Sequence, residues 1–572
     1  MSQATSDYQA FVDEFHAHMT RNPNDCAFLG VDAHRDELPD PSLAAAAAVV
    51  EEACALLERV QNLTRDGLDF DQSLDLELAA LMLQARIHDR TYRFNERTRL
   101  QQLPTAGDDI SLGMFFFFIN DPRPDEERLA NITARMEKVP AYLEGLLARL
   151  DTPVARWVEI DLVKVAGLPD LFGNLLSWAK RIGFADTPRL QTAIEVAQPA
   201  IETYAERLRA MPTTTNLHLG PDTARRLVEL RGIDLSLEEL HTIARDFLAE
   251  NRESVERMRV KLAAKYDLDA NISAADLQHQ LNERYAVAPD GTDLEIILDR
   301  YREERDKILA FVRERDLFPV PEGQDMKILR TPSFMEPSIP AGAMESPPPF
   351  RPGVRTSLVY LTLSEALRQE HSKLSIPAMM IHEGIPGHHL QLATAAMHPS
   401  VIRRHVNAME HCEGWTTMLE DYMLDIGYMG DLADECRFIG KRDIARIGAR
   451  VAIDLFFMTG ERKYLDVGVD CDISSDDPFV AAGNLLQAVT GFVPNRVQSE
   501  LNWYSQERGY PLSYLTGNRL VWQLKRDLAA AQGEDGDSLH LDRSFHKLYL
   551  ESGNMPLSFL RRVLQHRGLL AA

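Results

Sequence analysis

The residues HEGIPGHH at positions 382–389 place three histidines and one glutamate beside two glycines and a proline. A catalytic zinc ion takes about three imidazole or carboxylate ligands and keeps one position open for water. It also needs a nearby carboxylate that accepts the proton of that water. No other stretch of the sequence has this density of such groups. We therefore predict a zinc site at this segment.

The spacing of the histidines predicts an interrupted helix. His382 and His388 are six residues apart, which is about 600° of rotation on an ideal helix and leaves the two rings on opposing sides. His389 returns to the face of His382, but lies about 10 Å further along the axis. Pro386 and the two glycines favour a bulge or a break between them. A break would bring His388 towards His382, and His389 remains an alternative ligand or a donor to the transition state.

Two motifs carry a family resemblance. HEGIPGHHLQ (382–391) and EGWTTMLE (413–420) resemble the bacterial domain-of-unknown-function family 885. That family is similar to the gluzincin metallopeptidases, which include thimet oligopeptidase and Taq-type carboxypeptidase. The resemblance extends over nearly the whole chain, through ELPDPS (37–42), GYPLSYLTGN (509–518) and SGNMPLSFL (552–560). It implies a mainly helical hydrolase that binds Zn²⁺ through two histidines and a glutamate.

The resemblance also implies roles for individual residues. His382 and His388 would be metal ligands, and Glu413 would be the third ligand, from the next predicted helix. Glu383 would be the general base. His389 is a further catalytic candidate. Glu420, seven residues after Glu413 and on the same helical face, is expected either to support the site from behind or to lie at the surface.

A predicted helix at residues 433–465 carries a stripe of charged residues at intervals of four: Arg442, Arg446, Arg450 and Asp454. Such stripes are usually solvated salt-bridge ladders. The resemblance gives equal weight to a second interpretation, in which Arg450 or Arg446 faces the cleft and binds a peptide carboxylate through paired hydrogen bonds.

A tyrosine is the expected donor to the scissile carbonyl. The segment GYPLSYLTG (509–517) opens a predicted helix. In gluzincins a tyrosine from a C-terminal helix polarises this carbonyl, and the resemblance therefore implies Tyr514 as the first candidate and Tyr510 as the second. The alternative is that both rings pack in the core.

The predicted fold is mainly α, a multi-helical, two-lobed, metallopeptidase-like fold with a small antiparallel β-sheet next to the metal-binding helix. Residues 1–317 show the helical period and are predicted to form one wall of a cleft. Residues 318–572 are predicted to be the catalytic region, packed with the first as one unit. Short β-prone pieces at 326–329, 341–344 and 357–361 predict the sheet.

This sheet has two possible roles. An edge strand beside such a site can pair with an extended peptide, so Tyr360 is a candidate substrate contact. The alternative is a sheet with only a structural role.

Composition limits the classes of partner. The 572 residues are 45% hydrophobic and carry a net charge of −25, which is typical of a globular protein and argues against nucleic acid as a partner. Five cysteines without paired spacing fit a reducing compartment. The first residues lack a signal-peptide pattern, and no apolar stretch reaches about 20 residues. We therefore predict a cytoplasmic protein without a membrane partner, and leave its oligomeric state open.

The leading functional hypothesis is a zinc metallopeptidase that cleaves short peptides. A second hypothesis keeps the zinc and changes the substrate to a modified amino acid, a small amide or an ester. A third is a peptide-binding scaffold without catalysis, which predicts damage to the ligands or to the base. All four key residues, His382, Glu383, His388 and Glu413, are present.

Overall fold

Most of the chain folds into α-helices, which confirms the predicted fold class. The computed structural model describes residues 3–119, 121–289, 291–332, 336, 342–353, 355–533 and 538–571. The helices of these residues are α1 (Gln3–Met19), α2 (Pro23–Leu29), α3 (Leu43–Asn62), α4 (Phe70–Thr91), α5 (Arg99–Gln102), α6 (Ala106–Ile119), α7 (Asp125–Arg149), α8 (Ala155–Ala166), α9 (Leu168–Ile182), α10 (Thr187–Ala210), α11 (Pro221–Leu230), α12 (Leu237–Lys265), α13 (Ala274–Arg284), α14 (Glu295–Arg315), α15 (Ser375–Glu383), α16 (His388–Ala395), α17 (Val401–His405), α18 (Met409–Asp425), α19 (Ala433–Thr459), α20 (Pro478–Thr490), α21 (Pro494–Gln506), α22 (Ser513–Gln532), α23 (Leu539–Glu551) and α24 (Leu557–His566).

The remaining regular elements are short. Three short 3-10 helices cover Glu365–Glu370, Gly430–Leu432 and Arg462–Leu465 in the described residues. The strands are β1 (Arg93–Phe94), β2 (Arg97–Thr98), β3 (Asp325–Arg330), β4 (Gly342–Glu345) and β5 (Thr356–Leu361).

The chain forms two compact units. Unit 1 comprises Met1–Thr223, Pro348–Val354 and Pro399–Val406, and unit 2 comprises Ala224–Pro347, Arg355–His398 and Asn407–Ala572. The boundary that the sequence suggests, between residues 317 and 318, falls inside unit 2. Helix α12 belongs to this unit because it packs along α19.

In unit 1, one buried carboxyl group joins three helices. Asp161 of α8 accepts hydrogen bonds from the backbone N–H of Gly107 in α6 (2.9 Å) and from the hydroxyl of Tyr204 in α10 (2.7 Å). Burial raises the pKa of Asp161 to about 6. The two donors satisfy a polar group that would otherwise destabilise the core.

In unit 2, α18 and α22 cross with their backbones in contact. A Cβ atom on Gly414 would lie 2.5 Å from the carbonyl carbon of Gly517, and a Cβ atom on Gly517 would lie 2.1 Å from the carbonyl oxygen of Glu410. Because no side chain fits at this crossing, glycine is required on both helices. The crossing brings the start of α22 next to the middle of α18.

The predicted small sheet is present, with the strand order β3-β5-β4. Strand β4 is antiparallel to β5, as predicted, whereas β3 is parallel to β5, so that the sheet is mixed. The chain between β3 and β5 is long enough for the crossover that a parallel pair requires. Ala341, predicted as part of the second strand, lies outside the described residues.

Two predicted helices end differently in the structure. The helix predicted at 433–465 stops at Thr459, because Gly460 takes the left-handed conformation (φ +77°) that terminates helices. The sequence also predicts one helix that starts near Pro399 and Ser400, runs towards Gly427 and carries Glu413. This segment instead forms two helices, α17 and α18, and only α18 carries Glu413.

Candidate metal centre

The segment 382–389 contains the predicted break. Helix α15 ends at Glu383 and α16 begins at His388. A Cβ atom on Gly387 would lie 2.0 Å from the carbonyl oxygen of His382, so that only glycine allows the chain to fold back this closely. As a result, the ring centroids of His382 and His388 lie 4.8 Å apart and the rings are nearly perpendicular.

Glu413 of α18 completes a group of three residues, which we call the metal-ligand cluster. Its Oε2 atom lies 3.6 Å from Nε2 of His382 and 3.4 Å from Nε2 of His388. One candidate ligand atom from each residue lies within 4.8 Å of the other two. A tetrahedral zinc ion with bonds of about 2.0 Å holds its ligand atoms roughly 3.3 Å apart. The separations therefore fit a zinc ion.

Buried polar atoms give a second test of the fit. Glu413 is 2% exposed, and its Oε2 atom accepts no hydrogen bond from the residues that the structure describes. A buried carboxylate oxygen without a partner costs free energy unless a cation is close. A bound cation would remove that cost.

Two further side chains orient the cluster from outside. Nδ1 of His382 donates to Oε1 of Glu420 (2.8 Å), which directs Nε2 towards Glu413. The hydroxyl of Tyr510 donates to Oε1 of Glu413 (3.1 Å). Hydrogen bonds of this kind fix the orientation and basicity of metal ligands. Glu420 thus supports the site from behind, one of the two roles expected for it.

The negative charges around His382 favour a bound cation at the cluster, whether this is a proton or a metal ion. Burial alone would raise the pKa of Glu413, but the charge of His388 and the close approach of both imidazoles hold it well below its usual value. Burial alone would lower the pKa of His382, but the nearby carboxylate of Glu413, the hydrogen bond to Glu420 and the charge of Glu383 raise it to about 10. The anionic groups around His382 therefore decide its protonation.

Glu383, the predicted base, is the last residue of α15 and is only partly buried. It follows His382 directly, and its charge acts on that imidazole. Glu383 therefore combines partial exposure with an electrostatic influence on one of the candidate ligands.

His389 does not join the cluster. Its Nδ1 atom lies 2.6 Å from Oγ of Ser357 in β5, and its Nε2 atom lies 2.5 Å from Oε1 of Gln324. The ring is fully buried, and burial lowers its pKa to about 4, which keeps it neutral. Since both ring nitrogens are engaged, His389 links α16 to the sheet; the predicted catalytic role and the alternative role as a ligand do not match this position.

The two predicted tyrosines lie together beside the cluster. The rings of Tyr510 and Tyr514 are stacked, with centroids 5.9 Å apart. Burial and the charge of Glu413 raise the pKa of Tyr514, so that its hydroxyl keeps its proton. The guanidinium of Arg450 lies 4.5 Å from the centre of the Tyr514 ring.

Arg450 and Arg446 have different surroundings. Arg450 is 7% exposed; its Nε donates to the hydroxyl of Tyr504 (2.9 Å) and its Nη2 to Oε2 of Glu500 (2.8 Å). Arg446 is less buried and is paired with Asp443. The sequence analysis missed Glu500 and Tyr504, although their four-residue spacing on α21 was a signal that both could face one partner.

Asp454 lies one turn after Arg450 on α19 and was not predicted to have a role at the site. Its carboxyl group accepts the backbone N–H groups of Gly509 (3.2 Å) and Leu512 (3.1 Å), and burial raises its pKa to about 7. These two bonds hold the turn that carries Tyr510.

Tyr360, the predicted substrate contact from the sheet, lies in β5 opposite Ala343 of β4. Its side chain is 3% exposed, and burial raises its pKa. This degree of burial is that of a core residue.

Similarity to known proteins is clear at the level of family and fold. The family model described as "Bacterial protein of unknown function (DUF885)" matches residues 23–564. A structure from Shewanella oneidensis, described as a "putative lipoprotein of unknown function", has a TM-score of 0.75 at 18% identity and covers 99% of this chain and 100% of its own. A structure from Colwellia psychrerythraea, described as a "putative lipoprotein", has a TM-score of 0.78 at 14% identity and covers 98% and 99%. Comparison with curated proteins finds no match.

These comparisons correct the predicted location. Both similar structures are described as lipoproteins, which contradicts the prediction of a cytoplasmic protein. Net charge and cysteine count reflect the folded domain and do not record where it is delivered. Within the described ranges, no helix is both long and apolar enough to cross a membrane.

Proposed function

The chain belongs to the bacterial DUF885 family of unknown function, and within that family we propose that it is a zinc-dependent hydrolase of amide bonds. One observation carries the proposal: His382, His388 and Glu413 converge at zinc-ligand separations, and Glu383 directly follows His382 in the chain. The resemblance of these residues to the gluzincin motif supports a metallopeptidase as the specific form of this activity.

The residues would divide the reaction among them. Zinc, when bound, supplies Lewis acidity that makes a water molecule acidic near neutral pH. Glu383 would accept the proton of this water and pass it to the leaving amine. Tyr514, which keeps its proton, would donate to the developing oxyanion. Tyr510 already donates to Glu413, so we assign it to holding that ligand.

Peptides and small amides are the proposed substrates, and zinc-dependent cleavage of an ester or a modified amino acid is the alternative. A peptide-binding scaffold without catalysis would not require Glu383. Zinc-loaded protein should therefore be tested against dipeptides to decapeptides and against N-acylated amino acids.

The decisive comparison is Glu383→Gln. The neutral amide cannot accept the proton, so we expect hydrolysis to fall by about 10²- to 10⁴-fold while zinc content is unchanged. Glu253→Gln, at an exposed position of α12, is the matched control and should behave as the parent. Equal rates for Glu383→Gln and the parent would refute the proposal, and peptide binding without any hydrolysis would favour the scaffold.

A further inference from the structure

We propose that Arg450, assisted by Arg446, binds a free carboxylate on the leaving side of the substrate, so that the enzyme removes C-terminal residues. The substrate class is then amides of amino acids whose α-carboxylate is free, in peptides or in N-acylated amino acids. This inference rests on the proposed hydrolase function and names the part of the substrate that the same site recognises.

The guanidinium of Arg450 has one available edge. The aromatic rings of Tyr514 and Trp503 lie 4.5 and 5.1 Å from its central carbon. Nε and Nη2 donate to Tyr504 and Glu500, whereas Nη1 makes no hydrogen bond to the described residues. A guanidinium whose side edge is engaged can still use its end, formed by Nη1 and the second hydrogen of Nη2, as a fork for a carboxylate.

The bonds of Arg450 also fix its orientation. Glu500 is 9% exposed, and although burial alone would raise its pKa, the charge of Arg450 lowers it to about 2, so the pair is ionised. A guanidinium held by a buried carboxylate and a tyrosine loses little entropy when it binds an anion. This arrangement suits recognition of one planar anionic group at one position.

Arg446 adds positive charge to the same side of α19. It lies one helical turn before Arg450, and its side chain is 17% exposed. Burial, together with the charges of Arg450 and Arg496, lowers its pKa, and the charges of Glu420 and Glu500 offset this only in part. The partner of Arg446, Asp443, is about half exposed, and solvent screens such a pair. A substrate carboxylate would offset these positive charges further.

The subsite lies close to the metal-ligand cluster. Arg450 contacts the ring of Tyr514, and this ring stacks on the ring of Tyr510. The hydroxyl of Tyr510 in turn donates to Oε1 of Glu413. On the other side, the charge of Glu420, which bonds to His382, acts on Arg446. The steps from Arg450 to the Tyr514 ring (4.5 Å) and from that ring to Tyr510 (5.9 Å) together span at most about 10 Å. This is on the scale of one residue of extended chain, about 3.3–3.6 Å, together with the contacts at its two ends. This reach suits a terminal residue.

The proposed reaction is a balanced hydrolysis of the C-terminal amide bond. The oxygen of water bonds to the carbonyl carbon, the C–N bond breaks, and Glu383 transfers the proton of water to the departing amine. The products are a shortened acid and an amino acid whose carboxylate remains at Arg450. An internal peptide bond would offer no anion there.

Binding provides a test that does not depend on turnover. Zinc-loaded Glu383→Gln protein is titrated calorimetrically with the dipeptide Ala-Phe and with its C-terminal amide. Charge-assisted hydrogen bonds predict that the acid binds about 10- to 100-fold more tightly. Arg450→Lys in the same background keeps a charge but loses the fork, and should reduce this preference to less than about threefold.

Arg442→Lys is the matched control, because Arg442 lies on the same stripe and donates to the carbonyl oxygen of Ala274. It should retain the preference for the acid. If circular dichroism shows that Arg450→Lys is unfolded, Arg446→Gln, at a less buried position, replaces it and should weaken the preference severalfold. Equal affinity for the two probes in the Glu383→Gln protein, including no binding of either, overturns the inference. Full retention of the preference in the folded Arg450 variant overturns it as well.

Kinetics separate the two proposals. With the parent enzyme, we expect kcat/KM for the acid to exceed that for the amide, and the Arg450 variant to raise KM for the acid only. Equal hydrolysis of both probes leaves the hydrolase standing and overturns the carboxylate subsite. Selective binding of the acid without hydrolysis leaves the carboxylate subsite standing and overturns the hydrolase.

Discussion

Tyr510 donates its hydroxyl hydrogen to Oε1 of Glu413, while Oε2 of the same carboxylate faces His382 and His388. Oε1 thus holds the orientation of the carboxylate through Tyr510, and Oε2 lies at the candidate metal position.

Tyr510→Phe should weaken zinc binding without unfolding the protein. Loss of a hydrogen bond to a ligand typically costs about 10- to 100-fold in metal affinity. Competition with a chromogenic chelator measures this directly. Tyr428→Phe removes a similar tyrosine–glutamate bond, to Glu304, and is the control. Unchanged affinity in Tyr510→Phe would show that this bond does not support the metal.

Protein purified without added metal should contain about one zinc per chain, as measured by elemental analysis. His382→Ala and Glu413→Ala should each lose it, because a site with three protein ligands does not retain zinc when one is removed. His279→Ala, at an exposed histidine of α13, should not. Full zinc content in both ligand variants would contradict the assignment.

The two adjacent histidines should behave differently. His388→Ala should empty the site, whereas His389→Ala should retain zinc and lower stability by about 1–3 kcal/mol, because Ser357 and Gln324 lose a buried partner. Zinc content and thermal unfolding of both variants provide the measurement. The opposite pattern would transfer the ligand role to His389.

Zinc affinity should rise with pH. The pKa of His382 is raised to about 10 without metal, so that its imidazole carries a proton at neutral pH that zinc must displace. Glu413, whose pKa is lowered, is already ionised and contributes no proton. Below the raised pKa, affinity should therefore increase about tenfold per pH unit for one displaced proton. Chelator competition at several pH values tests this, and a flat profile between about pH 6 and 8 would contradict it.

Gly517→Ala should be strongly destabilising. The added methyl group would lie 2.1 Å from the carbonyl oxygen of Glu410, so α18 and α22 must separate. We expect a loss of about 1–3 kcal/mol or more in chemical denaturation, together with weaker zinc binding. Gly440→Ala, where the methyl group would meet no atom within 4 Å, is the control and should be neutral or slightly stabilising. A Gly517 variant as stable as the control would contradict the close crossing.

The helical fold and the approach of His388 to His382 followed from local patterns, whereas Glu413 entered the predicted ligand set through the family resemblance. Hydrophobic periodicity predicts the helices, and Pro386 with its neighbouring glycines predicts the break that brings His388 to His382. The choice between His388 and His389 depends on the path of four connecting residues, which spacing does not determine. The partners of Arg450 lie on α21, about 50 residues away in sequence. Such long-range contacts leave no local pattern, as the parallel pairing of β3 with β5 also illustrates.

Helix α19 connects Arg450 with the turn that carries Tyr510. Arg450 and Asp454 lie one turn apart on it, about 6 Å along the axis, and Asp454 binds the backbone of the turn that carries Tyr510. A rigid helical turn therefore sets the interval between the guanidinium and that tyrosine. Substitutions that slide α19 along its axis would move both together. Affinity for zinc and affinity for a terminal carboxylate should consequently rise and fall together across such variants, because both depend on the position of α19.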